Sequence, residues 1–331
     1  MKICYNDEMS ILVSGIKPTG ETHLGSYIGA MSQFLDLQDK YDSYIFVADF
    51  HALTTVQNPE KIEKNTENII LDYLAVGLDT EKVTLFKQSD VPEVTELCWI
   101  FNCITSVPYL SRAHAYKDAE SKNKEVTVGT FDYPILMAAD ILIHDAEIVP
   151  VGTDQKQHVE YARDIASKFN RLFGETFVVP KPLILEDKGT VLGTDGKKMS
   201  KSYGNTIPLN ASDEVIEKAV MSISTDSTPI EEPKKTEGDV LYQLHSFFTP
   251  QDIFVEIEKG YKEGGLGYKK SKEILIESIK EFCEPIRERR RGLEENKIEI
   301  FKSIKENGAV VREKVSKKML DVKKKVGLSG F

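Results

Sequence analysis

The sequence predicts an α/β fold, a doubly wound parallel sheet joined to a second, all-helical domain. Three observations predict it. Short apolar runs alternate with helix-length amphipathic segments through the first half of the chain. Those runs have no polar face, the pattern of strands buried on both sides. After Asn205 the strand signals stop and only helical patterns follow.

The elements follow in order. Ile11-Leu12-Val13 reads as a strand, with Ser14-Gly15 as the turn that ends it. From about His23 to Lys40, the residues Leu24, Tyr27, Ile28, Met31, Phe34 and Leu35 recur at helical spacing. Tyr44 to Ala48 is a second strand. Asn58, Pro59 and Glu60 form a helix start: a cap, a proline at the first helical position and an acid in the first turn. That helix runs through Ile69, Ile70, Tyr73 and Leu74 to Gly77, a natural stop. Val83 to Phe86 is a third strand, Val149 to Val151 another, and a helix follows from about Gln155 to Phe169. From Asp213 to about Asn307, helices are punctuated by Thr249-Pro250, by Gly264-Gly265-Leu266-Gly267 and by Glu284-Pro285. In such a sheet ligands bind beyond the carboxyl ends of the strands, where His23, Asp49 and His51 fall.

Composition narrows the class. The chain has 331 residues, 40% hydrophobic and 29% charged, the values of an ordinary soluble globular protein. No apolar run approaches the ~18 residues of a membrane span. Met1 to Glu8 lacks a signal-peptide core, so a cytoplasmic protein is expected, with residues 1–8 an N-terminal extension and Met9 an alternative start. Cys4, Cys98, Cys103 and Cys283 have no zinc-ligand spacing, and Cys98 and Cys103, beside Trp99, Ile100 and Phe101, read as buried free thiols. A net charge of −10 argues against nonspecific nucleic-acid binding. Local basic patches remain open: Arg287, Arg289, Arg290 and Arg291, and the tail lysines Lys317, Lys318, Lys323, Lys324 and Lys325. Each is equally a solvated helix face.

Three segments carry chemistry. The first, Ser14 to Tyr27, contains His23-Leu24-Gly25-Ser26 at a helix start, where free backbone N–H groups can receive a phosphate. Gly25 in a first turn costs about 1 kcal/mol against Ala, a cost that close approach of an adenine would explain. His23 can donate to an α-phosphate. Alone, the loop reads more readily as an ordinary strand–helix turn with a surface histidine. The second is Lys197-Lys198-Met199-Ser200-Lys201-Ser202, approached by Gly193 to Gly196. Ammonium groups on such a loop can close on a pyrophosphate as its charge grows. The third is Phe131 to Asp140, continued by Val149 to His158. Tyr133, Met137 and Asp140 share one helix face. A carboxylate in that apolar company needs a partner. An indole N–H, donor only, would serve, as would a basic residue.

Together the HIGH-like loop and the KMSKS loop mark class I aminoacyl-tRNA synthetases, and the third segment resembles the bacterial-type tryptophanyl-tRNA synthetase family. The resemblance spans about Ile11 to the C-terminus. It implies a Rossmann-like catalytic domain over 9–208, with a helix of about 309–331 packing back on it, and a helical anticodon-binding domain over 209–308. It implies a homodimer that uses ATP, L-tryptophan and tRNA(Trp), with Mg²⁺ held mainly by ATP phosphates, no protein metal site and no membrane. His23, Lys198 and Lys201 would be catalytic. ATP would meet Lys17, Pro18, Thr19, Gly25, Ser26 and Gly29 from the first loop. It would meet Gly152, Thr153 and Asp154 after the Val149 strand, and Val191, Lys198, Met199, Ser200, Lys201 and Ser202 from the mobile loop. Tryptophan would meet Asp140, Met137, Tyr133, Gln155, His51, Val151 and Val13. For His51 a core histidine is nearly as good a reading. The chain departs from the family at Ser26, where a histidine is usual, and at Val13, where some relatives have an aromatic. Residues 113–117 and 183–196 do not align residue for residue. A tyrosyl enzyme and a paralogue without charging activity are the alternatives.

Overall fold

The computed structural model describes residues 9–18, 20–113, 126–152, 155–184 and 190–328. Thr19, Thr153 and Asp154 lie outside the described residues. Strand β1 (Ile11–Ile16) leads to a short α1 (Leu24–Ser26), a π turn (Tyr27–Met31) and α2 (Ser32–Leu37). Then come β2 (Asp42–Val47), α3 (Asp49–Ala52), α4 (Pro59–Val76) and β3 (Val83–Lys87). Next are α5 (Glu93–Ile104), α6 (Val107–Leu110), α7 (Val128–Leu142), β4 (Ile148–Val151), α8 (Lys156–Phe173) and β5 (Lys181–Ile184). The rest is helical: α9 (Asp213–Met221), α10 (Val240–Phe248), α11 (Gln251–Glu263), α12 (Tyr268–Glu295) and α13 (Lys297–Lys325).

The sheet has the order β3-β2-β1-β4-β5, with every pair parallel. Its two faces divide the core by the period-two rule. Leu12, Ile45, Val47 and Leu85 point to one side, into a core continuous with Leu244, Ile257, Leu275 and Ile279 of the helical region. Val13, Tyr44, Phe46 and Phe86 point to the other, against α5, α7 and α8 and against Val311, Val315, Met319 and Val322 of α13. The expected parallel α/β fold with a helical second part is therefore the observed one. The α4 start is as expected too: Asn58 Oδ1 accepts from Lys61 N at 2.8 Å, and Gly77 ends the helix at φ 109°.

Four local expectations need correction. Ser14-Gly15 is strand, not turn: β1 stays in register with β2 as far as Ile16 opposite Val47. Gly15 answers to a neighbour, because a Cβ there would stand 2.6 Å from the Phe46 ring. Pro285 does not break its helix. It lies inside α12, where the flanking Cys283 and Ile286 are buried in the core, and packing outweighs one lost hydrogen bond. β5 escaped the sequence reading because Pro182 sits in it, tolerated at a sheet edge. Cys103 is exposed, not buried: α5 buries Val94, Leu97, Cys98 and Phe101 and turns Cys103 and Trp99 outward, the latter 70% exposed.

The basic clusters also resolve. Arg287 bonds Asp213, Glu284 and Ala211 O, and Arg289 bonds Ala75 O. Arg290 pairs with the buried Asp72 and bonds Asn68. These three pin α12 to α4 or α9, while Arg291 stays exposed. In the tail, Lys318 bonds Asp145 and Thr176 O, and Lys323 pairs with Glu96, tying α13 to the sheet domain.

Candidate active site

The strand order reverses between β1 and β4, the place where open α/β sheets receive ligands. A cavity of about 770 Å³ opens there. The carboxyl end of β1, from Val13 to Ile16, forms one wall with Lys17 just past it, and Val149 to Val151 of β4 forms another with Gly152. Ten of the site residues named from sequence line it: Val13, Lys17, Gly29, His51, Tyr133, Met137, Asp140, Val151, Gly152 and Gln155.

Asp140 sits at the foot of the cavity on α7, 2% exposed. Its carboxylate accepts from Gln88 Nε2 at 2.8 and 2.9 Å and from His51 Nε2 at 2.9 Å. Burial pushes this carboxyl above the ordinary range, and the bonds from His51 and Gln88 pull it back. The partner that the sequence demanded is thus partly internal, and Gln88 was missed. Its signal is positional: it is the first polar residue past the carboxyl end of β3. His51 lines the cavity and bonds Asp140, so it is not merely a core histidine.

A second hydrogen-bonded chain lies across the cavity. His158 Nδ1 is 2.8 Å from Gln155 Oε1, and His158 Nε2 is 2.7 Å from the Tyr133 hydroxyl. An amide oxygen only accepts, so Nδ1 carries the proton and Nε2 accepts from Tyr133. The Tyr133 oxygen then offers its lone pairs to a cation in the cavity. Burial pushes this phenol up to about 12, so it stays neutral. His158, 4% exposed, was also missed, although its offset of three from Gln155 on one helix places it beside that residue.

The two motif loops meet beside the cavity. His23 caps α1: Nδ1 accepts from Ser26 N at 3.2 Å, and Ser26 Oγ accepts from His23 N at 3.3 Å. With Nδ1 accepting, Nε2 is the protonated nitrogen, a donor. Burial, with the nearby Lys201 charge, lowers His23 to about 4 and keeps it neutral near pH 7. The Lys201 ammonium lies 3.6 Å from the position of a Cβ on Gly20, and loss of solvent around it lowers its pKa. Gly25 N donates to Met199 Sδ at 3.2 Å, so Met199 occupies the space that the missing Cβ leaves. At Gly29 nothing lies within 4 Å of a Cβ position, and that space belongs to the cavity. Lys17 Nζ donates to Thr54 Oγ1 at 2.9 Å. Pro18 O accepts from Asn65 Nδ2 at 3.4 Å.

The KMSKS segment is a tight hairpin. Met199 N donates to Val191 O at 2.7 Å, and Leu192 bridges Lys198. Val191 is buried in the core, so its side chain supports the loop. Asn205 stitches the hairpin from inside: Oδ1 accepts from Ser200 N at 2.8 Å, and Nδ2 donates to Asp195 Oδ1 at 2.6 Å and Lys198 O at 3.1 Å. A Cβ on Gly193 would fall 2.3 Å from the Asn205 amide. Gln243 of α10 holds the base, accepting from Leu192 N at 2.8 Å and donating to Thr190 O at 3.0 Å. Ser202 and Lys201 lie on a 3₁₀ turn at the surface, with the Lys201 ammonium turned in toward Gly20.

Comparison with known proteins agrees with this geometry. A family model described as tRNA synthetases class I (W and Y) matches residues 5–284. A tryptophan–tRNA ligase of Fusobacterium nucleatum subsp. nucleatum is 48% identical over 319 residues, 96% of this chain and 98% of the relative. One from Rhodopirellula baltica is 45% identical over 311 residues, 94% of this chain and 97% of the relative. The crystal structure of tryptophanyl-tRNA synthetase from Campylobacter jejuni complexed with ADP and tryptophan gives a TM-score of 0.89 at 40% identity, over 97% of this chain and 100% of that one. Sheet order, paired loops and near full-length likeness converge, and the chain belongs to the class I tRNA synthetases of the W and Y family.

Proposed function

We infer that this chain is a tryptophan–tRNA ligase. The observation that carries the reading is Asp140: a buried carboxylate, flanked by Met137 and His51, in the same cavity as Lys17 and Gly29 and beside the His23–Lys201 cluster. An indole would lie over Met137 with its N–H on Asp140. The α-ammonium would face the Tyr133 oxygen, and Gln155 would contact the substrate's polar groups. The tryptophan carboxylate attacks the α-phosphorus of ATP, the bond to pyrophosphate breaks, and tryptophanyl-adenylate forms. His23 Nε2–H, Lys198 and Lys201 stabilise the charge that grows on the phosphates. The terminal ribose hydroxyl of tRNA(Trp) then takes the aminoacyl group and AMP leaves. Lys17 and Lys201 bring ammonium groups, donors for phosphate and not ligands for a metal, which fits a Mg²⁺ held mainly by phosphate oxygens, where it would neutralise their charge.

The assignment of Thr19, Pro18, Gly25, Ser26, Gly152, Thr153, Asp154, Val191, Met199, Ser200 and Ser202 to the ATP site belongs to the same proposal. So do the catalytic domain over 9–208 with the end of the last helix, the anticodon-binding domain over 209–308 and the extension at 1–8. We place the enzyme in the cytoplasm with the tRNA pool; among the described residues no helix is long and apolar enough to cross a membrane. We propose a homodimer through the apolar face around Trp99, Cys103, Val107 and Val128, all exposed.

Amino-acid-dependent ATP–pyrophosphate exchange tests the reading, with tryptophan, tyrosine and phenylalanine compared and Asp140→Ala alongside. Exchange with tryptophan alone, lost in Asp140→Ala, is the expected outcome. Exchange with tyrosine would replace the substrate. No exchange by folded protein would make it a non-charging paralogue.

A further inference from the structure

Gln88 is 1% exposed and touches three backbone or side-chain groups of the cavity wall at once. Its Oε1 accepts from Phe50 N at 3.1 Å and from His51 N at 3.4 Å, the first-turn amides of α3. Those amides can only donate, so the side-chain amide has a single workable orientation, with Nε2 toward Asp140. Nε2 then donates to Oδ1 at 2.8 Å and to Oδ2 at 2.9 Å. His51 Nε2 takes a second position on Oδ2 at 2.9 Å. A carboxylate has about four acceptor positions. Gln88 and His51 use three, and the one left is on Oδ1.

We propose that Gln88 is a specificity-determining positioning residue: it keeps Asp140 an acceptor and leaves a single acceptor position, on Oδ1, for the ring N–H of the amino acid substrate. The proposal deepens the tryptophan reading of this cavity and rests on it. Without the two Gln88 bonds, burial weighs more heavily on the carboxyl and favours proton uptake, and a protonated carboxyl presents a donor where the substrate also has a donor. Selection of an N–H ring then fails, although the shape of the pocket is unchanged. A residue that served shape alone would affect every ring of that shape equally.

The test compares tryptophan with β-(benzothien-3-yl)alanine, in which sulfur replaces the ring N–H, in pyrophosphate exchange by wild type, Asp140→Ala, Gln88→Met and Gln88→Glu. Gln88→Met keeps the length of the side chain and removes both polar ends. Gln88→Glu keeps the acceptor for Phe50 N and His51 N and sets a second carboxyl against Asp140, so that the two share a proton in place of the Gln88 donor, and it carries the test if the first variant does not fold. The expected result is a tryptophan KM raised roughly tenfold to hundredfold, the loss of hydrogen bonding to a charged group. The KM of the sulfur analogue, the KM of ATP and kcat stay at wild-type values. An equal rise for both amino acids, or none for tryptophan, overturns the proposal. If Asp140→Ala leaves the tryptophan KM unchanged, the pocket reading falls and takes this proposal with it. Sensitivity to Asp140→Ala without sensitivity to Gln88→Met overturns the proposal alone.

Discussion

His158 shows how a single proton sets the polarity of a site. Because Gln155 Oε1 can only accept, the imidazole is committed to its Nδ1–H tautomer, and Tyr133 must donate into Nε2. Tyr133 therefore presents oxygen lone pairs, the correct charge for an ammonium. In His158→Leu, Tyr133 loses this constraint and the tryptophan KM rises about tenfold, roughly one hydrogen bond's contribution, while the KM of ATP does not change. Steady-state exchange with each substrate varied in turn measures both. Legibility at this scale was uneven. Asp140, Met137 and Tyr133 were readable because one helix carries them at offsets of four and three. Gln88 and His158 were not, because they act through other side chains, and nothing in a strand end or a helix face announces which neighbour it will bond.

Elements are joined by buried charge. Asp72 of α4, 2% exposed, receives Thr22 just before His23, Asn210 after the KMSKS segment, and Arg290 of α12. One carboxylate thus fixes the HIGH-like loop, the exit of the KMSKS region and the helical part against one another. Arg290→Met strands that charge, and breaking such a pair costs about 3–5 kcal/mol. Urea unfolding should show that loss in the midpoint, and the double variant Arg290→Met with Asp72→Asn should recover part of it. A midpoint equal to wild type in the single variant would refute the clasp. The arginine run was visible in the sequence, but its role was not, since a run of charges looks the same whether it faces solvent or a helix two hundred residues away. Pro285 misled for a related reason: a local helix breaker yields when the residues on both sides are held in a core.

Across the whole molecule, acid stability should depend on histidines held neutral. Burial lowers His144 to about 3 and His245 to about 4. His144 stacks on Tyr44 with centroids 5.5 Å apart, and His245 bonds Thr249 and Ser271. Each folded-state value lies below the unfolded value near 6.5, so below pH 6.5 the unfolded chain binds more protons. Stability from this source is complete above pH 6.5 and is lost as pH falls toward 4. At pH 5 each contributes about 2 kcal/mol of destabilisation relative to pH 7. His144→Phe should flatten the fall in unfolding free energy between pH 7 and 5, and an unchanged slope would refute the assignment. The parallel sheet and the helical second half were legible from the apolar runs, which have no polar face. The join between them was not, because Leu244 and Ile257 share a core with Leu12 and Ile45 only once the chain has folded back.

Trp99 is the chain's single tryptophan, and it stands 70% exposed on the outer face of α5. The protein's intrinsic indole emission therefore comes from one position, on the face proposed for the homodimer, and reports on whether that face is covered. A substrate indole enclosed over Met137 would be the second fluorophore, in the dry surroundings of the pocket. Replacing Trp99 with Phe leaves a protein with no indole emission of its own, in which occupancy of the pocket can be followed by the colour of the ligand.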